Sequence, residues 1–300
     1  MTRSRYRPDA PPDYSHRFHA GNVGDVWKHC VLAEVLRGVG GSSRLTYVES
    51  HAGEGSYRLA STGEWTEGIG RLWRVRDDRV DRVAASSGGT DAVSRYVDLV
   101  RRLGSGDERP ETYPGSPVLA RALLGSEARL VLHEQEPDAF GRLERELAGD
   151  PYAQLHCDDG LAALTNDVHA AEADGSNIVA LVDPPYGQKR DWRDVTAALT
   201  EAATASKRAR LLLWYPVKSL TRPNAMRAEL ESAGVAATLL ELITTPLEHQ
   251  RQRLNGSGVI LVRPPAGAVE ALAAAAAVLG PRCATRSDTW WLRVLAWAGR

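Results

Sequence analysis

The stretch NIVALVDPPYGQKRDW, residues 177–192, decides the fold of this chain. It begins with an apolar run of Ile, Val, Ala and Leu, which is typical of a strand buried on both faces of a parallel sheet. Asp183, Pro184, Pro185 and Tyr186 follow at once. Because proline fixes φ and holds the preceding residue extended, this segment is rigid. The sequence therefore predicts a buried strand whose carboxyl end presents a fixed carboxylate and a fixed aromatic ring.

Seven segments have an apolar strand pattern, and helical patterns lie between most of them. The strands are predicted at 44–50, 128–134, 154–159, 177–183, 208–216, 237–244 and 258–264, and the helices at 90–103, 137–149, 160–173, 192–206, 222–234 and 268–279. This alternation is typical of an α/β fold with a doubly wound, mostly parallel, Rossmann-like sheet of seven strands. No helical pattern connects the last two strands, which predicts an antiparallel pair at one sheet edge. Residues 290–297, WWLRVLAW, fit an eighth strand or a packing segment equally well.

The composition is that of an ordinary globular protein, with 43% hydrophobic and 25% charged residues. The formal net charge of −1 provides no global basic field that would indicate a nucleic-acid partner. The three cysteines are far apart and have no CxxC spacing, which argues against a disulfide framework or a zinc site and suits a reducing cytoplasm.

The chain has no long apolar run that would span a membrane, and residues 1–13 lack the apolar centre of a signal peptide. We therefore predict a cytoplasmic protein without a membrane partner. Residues 1–13 are predicted to be a flexible tail, and residues 14–300 a single domain. His16, His19 and His29 have no carboxylate or cysteine partner at a metal-ligand spacing, so no metal site is predicted.

Polar residues follow the predicted strands, at the sheet edge where ligands bind in such folds. His51-Ala52-Gly53-Glu54-Gly55 follows the first strand and is typical of a glycine turn that approaches a ligand. Glu134 ends the second strand, where a carboxylate usually binds ribose hydroxyls, and Glu136 is the alternative. Asp159 ends the third strand, where it can accept from an adenine amino group or cap the next helix.

The usual spacing from the glycine turn to the ribose carboxylate is roughly 20 residues, so about 60 residues are inserted here. We place this helical insertion at about 57–115. Its arginines have acidic neighbours and form either a solvated helix face or phosphate contacts. The insertion closes with YPGSP, in which Ser116 is predicted as a helix N-cap and Pro117 as the first helical residue.

The Asp183–Tyr186 segment has the groups needed to hold an amino group conjugated to a flat ring. The Asp183 carboxylate and the Pro184 carbonyl can accept its two N–H bonds, while Tyr186 stacks on the ring. Such an amine is a poor nucleophile because its lone pair is delocalised. Acceptors that draw the hydrogens out of the ring plane aim the lone pair at an electrophile.

VDPPY, residues 182–186, resembles the fourth-strand motif of amino-directed methyltransferases that use S-adenosylmethionine. The whole chain from about residue 14 to 297 is similar to bacterial 23S ribosomal RNA adenine-N6-methyltransferases of the RlmJ type. The segments that carry this resemblance are HRFHAGNVGDVWKH (16–29), ESHAGEGSYRL (49–59), YPGSP (113–117), CDDG (157–160), VDPPY (182–186), LWYPV (213–217) and NGSGVILVRPP (255–265).

The resemblance implies the class I methyltransferase fold and a role for each matching residue. S-adenosylmethionine is implied to contact His29, His51, Ser116, Glu134, Asp159 and Gly160. Asp183 is implied to be the catalytic acceptor, and Tyr14 lies near the target RNA, together with Pro184 and Tyr186. The family also leads us to expect a monomer.

The resemblance thus implies an enzyme that methylates N6 of a specific adenine in 23S ribosomal RNA, and we expect naked or early-assembly RNA to be the better substrate. Two alternatives remain open at this point. The DPPY segment indicates that the methyl acceptor is an amino group, but it does not indicate which polymer carries that group. The substrate can therefore also be adenine in DNA or glutamine in a protein. A catalytically silent RNA-binding module is the other alternative, and a cofactor titration would distinguish it.

Overall fold

The computed structural model describes residues 16–40, 44–73, 89–248 and 254–299. The strands are β1 Leu45–Glu49, β2 Ser56–Arg58, β3 Thr112–Pro114, β4 Arg129–His133, β5 Ala153–His156, β6 Asn177–Val182, β7 Arg210–Val217, β8 Ala237–Ile243, β9 Gly256–Val262 and β10 Trp291–Trp297. The helices are α1 His16–His19, α2 Val23–Val39, α3 Ile69–Trp73, α4 Gly89–Leu103, α5 Ser116–Leu124, α6 Pro137–Glu146, α7 Gly160–Ala173, α8 Asp191–Ala205, α9 Thr221–Ser232 and α10 Ala268–Cys283.

Among the described residues, the main sheet has eight strands in the order β10-β8-β9-β7-β6-β1-β4-β5. Strands β5, β4, β1, β6 and β7 are parallel, as the apolar runs predicted. The seven predicted strands and the mostly parallel α/β architecture are confirmed. Residues 291–297 form an eighth strand, antiparallel to β8 at the edge.

Strand β9 is the inner member of the antiparallel pair that was predicted at one sheet edge. It pairs antiparallel with β8, as expected, but it also pairs antiparallel with β7 and so lies inside the sheet. All seven of its residues are buried. Gly258 fits this interior position because a Cβ there would lie 2.3 Å from the Tyr215 ring of β7. The edge position belongs to β10, which has three exposed apolar side chains, Trp291, Val294 and Leu295.

Helices cover both faces of the sheet, because neighbouring residues of each buried strand point to opposite faces. Tyr47 of β1 belongs to the apolar cluster that includes α2, α4, α5 and α10. Val48 belongs to the cluster on the other face, with α7, α8 and α9. Each central strand therefore contributes to two cores, which explains its continuous apolar sequence.

The insertion after β1 is held at its base by a small hairpin of β2 and β3. The amide of Leu59 donates to the Glu111 carbonyl at 2.8 Å, and the amide of Gly115 donates to the Gly55 carbonyl at 2.6 Å. Within the insertion, α4 packs against α2 and α10. The predicted helix at 90–103 and the insertion itself are thus confirmed.

Three of the described arginines of the insertion have partners within the protein, whereas Arg102 is exposed. Arg71 donates to the carbonyls of Arg282 and Ala284, Arg95 pairs with Glu34, and Arg101 donates to the Trp73 carbonyl. Arg74, Arg76, Arg79 and Arg82 lie outside the described residues, as do Tyr14 and the predicted tail 1–13. Across the described ranges, every helix is too short or too polar to cross a membrane.

Candidate active site

The carboxyl ends of β1, β4 and β6 bring the predicted site residues to one edge of the sheet. Glu49, the last residue of β1, is level with Leu132 of β4 and Leu181 of β6. The segments that follow these strands begin with Ser50, Glu134 and Asp183. The strand order switches sides at β1. Strands β4 and β5 are added on one side of β1, and β6 and β7 are added on the other. This is the position at which open α/β sheets bind ligands.

Asp183 forms a buried ion pair with Lys28 of α2. The Lys28 Nζ atom lies 2.5 Å from Asp183 Oδ2 and 2.9 Å from Asp25 Oδ1. Only 5% of the Lys28 side chain and 13% of the Asp183 side chain are exposed. Burial alone lowers the pKa of Lys28, but attraction to Asp183 and Asp25 outweighs burial and holds this pKa well above its usual range. Lys28 is therefore a permanent cation in the site.

Glu49 is a second buried carboxyl group next to this ion pair. It accepts hydrogen bonds from Tyr47 Oη, at 2.8 Å, and from Ser116 Oγ. Burial raises the pKa of Glu49 to about 8, and the charge of Asp183 adds to this effect, whereas Ser116, Tyr47 and Lys28 oppose it. We expect Glu49 to hold a proton at neutral pH.

The Ser116 hydroxyl is thereby removed from the role predicted for it as a helix cap. The N-cap of α5 is Gly115, and Ser116 and Pro117 are the first two helical residues. The prediction was wrong because the Ser116 hydroxyl donates to the Glu49 carboxyl instead. Glu49 is 67 residues earlier in the chain, so this partner cannot be recognised from the sequence around Ser116. Ser116 is nevertheless buried at the same sheet edge as Asp183.

Glu134 holds the glycine loop in place. Its Oε2 atom accepts from the Gly53 amide at 2.8 Å, and its Oε1 atom accepts from the Glu136 amide at 2.8 Å. Gly53 has a φ of +64°, and a Cβ there would lie 2.1 Å from the Tyr57 hydroxyl oxygen. The side chain of Glu136 instead caps α6 by accepting from the amides of Asp138 and Ala139. The two candidate carboxylates therefore have different partners: Glu134 contacts the glycine loop, and Glu136 contacts the first turn of α6.

His51 lies half-buried in the same loop, with Nδ1 2.8 Å from the Ser50 hydroxyl oxygen. Burial lowers the pKa of His51, and four surrounding carboxylates partly oppose this effect: Asp183, Glu134, Asp159 and Asp191. Three predicted site residues therefore act electrostatically on a fourth. The crevice is acidic, and such a field favours a cationic ligand.

Asp159 caps helix α7, which was the alternative role considered for it. Its Oδ1 atom accepts from the amides of Leu161 and Ala162 at 3.1 Å and 3.2 Å. Gly160 lies in close contact with the ends of β1 and β4, since a Cβ there would be 2.4 Å from both His133 Cβ and the Ser50 carbonyl oxygen. The backbone at Gly160 consequently approaches the crevice as closely as a glycine allows.

His29 follows Lys28 in α2 but points away from the Asp183 pair. Its Nδ1 atom is 2.7 Å from the Tyr113 hydroxyl oxygen, which is in turn 2.8 Å from the hydroxyl oxygen of Tyr96. The His29 and Tyr113 rings are stacked. The structure thus brings Lys28 to the Asp183 carboxylate and joins His29 to the insertion, and the cofactor contact of His29 stays a prediction.

Tyr186 has a left-handed backbone with a φ of +51°, which is strained for a residue with a side chain. Strain of this kind is stored at functional sites. The Tyr186 ring lies 4.6 Å from that of Trp192 and 6.1 Å from that of Trp214, and its hydroxyl donates to the Trp214 carbonyl at 2.8 Å. Pro184 is buried beside it. The ring is thus held at the exit of β6 by two tryptophans.

The sequence reasoning missed Lys28, Asp25, Glu49 and Trp214. The Lys28 ammonium lies 5.5 Å from the centre of the Trp214 ring, so one cation joins α2 to the exits of β6 and β7. A signal was present in GDVWKH, where Asp25 and Lys28 have the i,i+3 spacing of a helical ion pair amid apolar neighbours. Its meaning depended on the tertiary position of α2.

The arrangement fits S-adenosylmethionine, whose sulfonium and ammonium groups are cationic and whose ribose needs an acceptor. The acidic crevice around His51 suits the cations, and the Glu134 carboxylate lies at the end of β4, beside the glycine loop. Gly53 and Gly55 let this loop pack closely against Tyr57 and Glu146, where a side chain would clash. Within the described ranges, no three His, Cys, Asp or Glu side chains are grouped as a metal site would need.

Comparison with known proteins agrees with this geometry. Residues 42–293 match the family described as "RsmJ: Ribosomal RNA large subunit methyltransferase D, RlmJ". The Ribosomal RNA large subunit methyltransferase J of Haemophilus influenzae is 33% identical over 259 residues, which are 84% of this chain and 87% of that protein. The protein of the same name from Escherichia coli is 33% identical over 260 residues, with the same coverage of both chains.

A solved structure shows the same fold. Protein LPL1258 of Legionella pneumophila has a TM-score of 0.76 and 22% sequence identity, and the match covers 94% of this chain and 98% of that one. The family match and the two curated relatives together cover most of this chain. The chain therefore belongs to the ribosomal RNA large subunit methyltransferase family of the RlmJ type, and it is a methyltransferase that uses S-adenosylmethionine.

Proposed function

We propose that this protein methylates the exocyclic N6 of a specific adenine in 23S ribosomal RNA. The observation that carries the proposal is the position of the Asp183 carboxylate, at the exit of β6 and across the crevice from the loop that Glu134 holds. A carboxylate there accepts from an amine that approaches the cofactor side of the crevice. The relatives from Haemophilus influenzae and Escherichia coli support ribosomal RNA as the polymer that carries this amine.

The cofactor site we propose consists of the glycine loop and the strand exits around it. Glu134 binds the ribose hydroxyls, Asp159 and Gly160 contact the adenine end, and His51 and Ser116 line the pocket. His29 of α2 is a further cofactor contact in this proposal. When bound, S-adenosylmethionine supplies an electrophilic methyl group. The residues that surround it hold and orient it, and the acidic field of the crevice favours its positive charge.

Asp183 orients the target amine through the one oxygen that Lys28 leaves to it. Lys28 occupies Oδ2, whereas Oδ1 has no hydrogen-bond partner in the described parts of the chain. In our proposal Oδ1 and the Pro184 carbonyl accept the two N–H bonds of the amine, and Tyr186 stacks on the base. The surplus proton passes to Asp183 or to water.

Lys28 fixes the orientation of the Asp183 carboxylate. A carboxylate bound on one oxygen by a buried ammonium loses most of its freedom to rotate, so the other oxygen is preorganised for the amine. Such positioning matters because a displacement of the acceptor weakens alignment of the amine lone pair with the methyl carbon.

The target base has to leave its stack to enter this crevice, at a cost of a few kcal/mol. We therefore propose naked or early-assembly RNA as the better substrate, since an assembled particle opposes extrusion further. Tyr14, which lies outside the described residues, is proposed to contact this RNA. We also propose that the protein acts as a monomer.

The experiment that tests the proposal uses 23S ribosomal RNA from a strain that lacks this protein. Purified protein and S-adenosylmethionine carrying a labelled methyl group are added to naked RNA, assembled large subunits, duplex DNA and total protein. We expect label as N6-methyladenosine at one position of naked 23S RNA, mapped by mass spectrometry. Label in DNA or in glutamine, with none in RNA, would replace this function by the alternative amino-group methyltransferase.

A further inference from the structure

A cleft lies beside the Asp183 loop, between the first turns of α8 and α9. Its volume is about 440 Å³, and it is lined by Lys189, Trp192, Arg193, Arg222, Met226 and Glu229, among others. Strands β6 and β7 are parallel neighbours. Helices α8 and α9 follow these strands, so they begin at the sheet edge that contains Asp183. The cleft therefore adjoins the site described above without sharing its carboxylates.

The lining of the cleft is basic although the whole chain has a net charge of −1. Lys189, Arg193 and Arg222 are exposed, and Glu229 is the acidic residue among the lining side chains. Arg193 has its neighbour Asp194 at 3.9 Å, a weak contact. Among the residues that the structure describes, Lys189 and Arg222 have no carboxylate at ion-pair distance. Basic groups without a partner at a site entrance favour an anionic ligand.

Trp192 forms a wall between this cleft and the proposed base site. Its ring is 4.6 Å from Tyr186, which follows Asp183 and the two prolines, and the Arg222 guanidinium lies 5.9 Å from its centre. The indole Nε1 is buried and has no hydrogen-bond partner within the described part of the molecule. An aromatic face, an indole donor and a guanidinium together suit a nucleotide, which offers a ring and a phosphate.

We propose that this cleft binds the RNA nucleotide that adjoins the target adenine, with its phosphate on Lys189, Arg193 and Arg222 and its base against Trp192. The inference rests on the proposed function and adds the second subsite that base extrusion requires. When one base turns into the crevice at Asp183, the backbone next to it has to follow the adjacent surface. The cleft provides such a surface, because its basic lining adjoins Tyr186 through Trp192.

The test measures RNA binding and methyl transfer by the charge-reversal variants Lys189→Glu and Arg222→Glu. The control is Lys207→Glu, an exposed lysine that precedes β7 and so lies at the opposite edge of the sheet. The RNA is a 23S fragment that contains the mapped adenine. Fluorescence anisotropy at several salt concentrations gives Kd, and steady-state assays give KM for RNA and kcat. Calorimetry gives the affinity for S-adenosylmethionine.

We expect each cleft variant to weaken RNA binding by about tenfold or more. The slope of log Kd against log salt should fall by about 0.7–0.9 for each phosphate that the variant no longer neutralises. Affinity for S-adenosylmethionine should not change, and Lys207→Glu should behave as the wild type. A methylphosphonate that neutralises the bound phosphate should weaken binding to the wild type but add little to the Lys189→Glu effect.

Two failures are distinguishable. If the wild type methylates the RNA and both cleft variants match Lys207→Glu in Kd and salt slope, the cleft is not a nucleotide subsite and the proposed function stands. If the wild type transfers no methyl group to RNA, the proposed function falls and takes the substrate role of the cleft with it.

Discussion

The ammonium of Lys28 lies 2.5 Å from the carboxylate of Asp183, although the two residues are 155 positions apart in the chain. This pair joins helix α2, which precedes the first strand, to the exit of β6. Asp25 completes it on the helix side at 2.9 Å. Three charges in a nearly dry space, two negative and one positive, make the site sensitive to the removal of any one of them.

Asp183→Ala should slow methyl transfer strongly while leaving the cofactor bound. The substitution removes the acceptor of the amine but leaves the glycine loop and Glu134 intact. The affinity for S-adenosylmethionine should change by less than about tenfold, or 1.4 kcal/mol. The single-turnover rate should fall by about two to three orders of magnitude, as when a preorganised hydrogen-bonding group is lost.

Asp183→Asn is the stricter version of this test. Its amide oxygen can still accept a hydrogen bond, but the side chain has no charge and takes up no proton. Folding is verified by the melting curve. A near wild-type rate for this variant would assign the chemistry to the Pro184 carbonyl and to stacking on Tyr186, and would remove the charge of Asp183 from the mechanism.

Lys28→Met should lower both stability and turnover. Methionine has a similar length but no charge, so Asp25 and Asp183 are left as buried carboxylates without their cation. Loss of one partner from a buried ion pair costs about 3–5 kcal/mol. Chemical denaturation measures this loss, and kcat should fall at least about tenfold because the Asp183 carboxylate is no longer held. Lys207→Met, at an exposed lysine, serves as the control and should stay within about 0.5 kcal/mol. Equal stability and turnover in the two variants would show that the ion pair has no energetic role.

Glu134→Ala should weaken cofactor binding, whereas Glu136→Ala should not. Glu134 holds the Gly53 amide and, in our proposal, the ribose, so its loss should cost about 1–3 kcal/mol of affinity for S-adenosylmethionine. Glu136 caps α6, and its loss should cost about 1 kcal/mol of stability instead. Calorimetry and melting curves measure the two effects. The ribose assignment moves to Glu136 if the affinities respond in the opposite order.

Glu49 should make the protein less stable as the pH rises from about 5 to 8. Its pKa is raised to about 8 by burial, so the folded state holds a proton that the unfolded chain releases near pH 4.5. Stability from this group is complete below the unfolded pKa and is lost as the pH rises through the folded pKa. The slope is at most about 1.4 kcal/mol per pH unit.

Glu49→Gln isolates this effect, because the amide resembles the protonated carboxyl and does not titrate. Burial lowers the pKa of His133, but bonds to Asp167 and Asp158 outweigh it and raise that pKa. This histidine adds a pH dependence of the same sign, but it is present in both proteins and cancels in the difference. Unfolding free energies at pH 5, 6.5 and 8 should therefore diverge between wild type and variant. Parallel curves would mean that Glu49 is ionised throughout.

Most of the fold was predictable because its strands are buried on both faces and therefore have continuous apolar sequences. The internal position of β9 was not predictable. A connection without a helix indicates that β8 and β9 pair, but it does not indicate which of the two also pairs with β7. Strand β10 was ambiguous for a different reason. Its exposed Trp291, Val294 and Leu295 remove the alternation that marks a half-buried strand.

The positions of some residues at the candidate site were also predictable from the sequence, and those of others were not. Asp183 and Glu134 were predictable because residues that end parallel strands meet at one edge. Lys28 was not, because its partner is set by how α2 packs on the sheet. The local sequence around Ser116 predicted a helix cap, but its hydroxyl donates to the buried carboxyl of Glu49 on β1. Local rules fail where a side chain has a distant partner.

The hairpin of β2 and β3 has a consequence for how the length of this chain can change. Its two strands clamp the neck of the insertion, and the 2.6 Å bond from Gly115 to Gly55 ties the residue before Ser116 to the glycine loop. Residues added or deleted beyond this neck leave the distance between those two segments unchanged, and the entropic cost of a longer loop grows only slowly. An engineer can thus add an RNA-binding element at exposed positions beyond this neck without rebuilding the crevice, provided that α4, whose apolar side chains belong to the core shared with α2 and α10, is left in place.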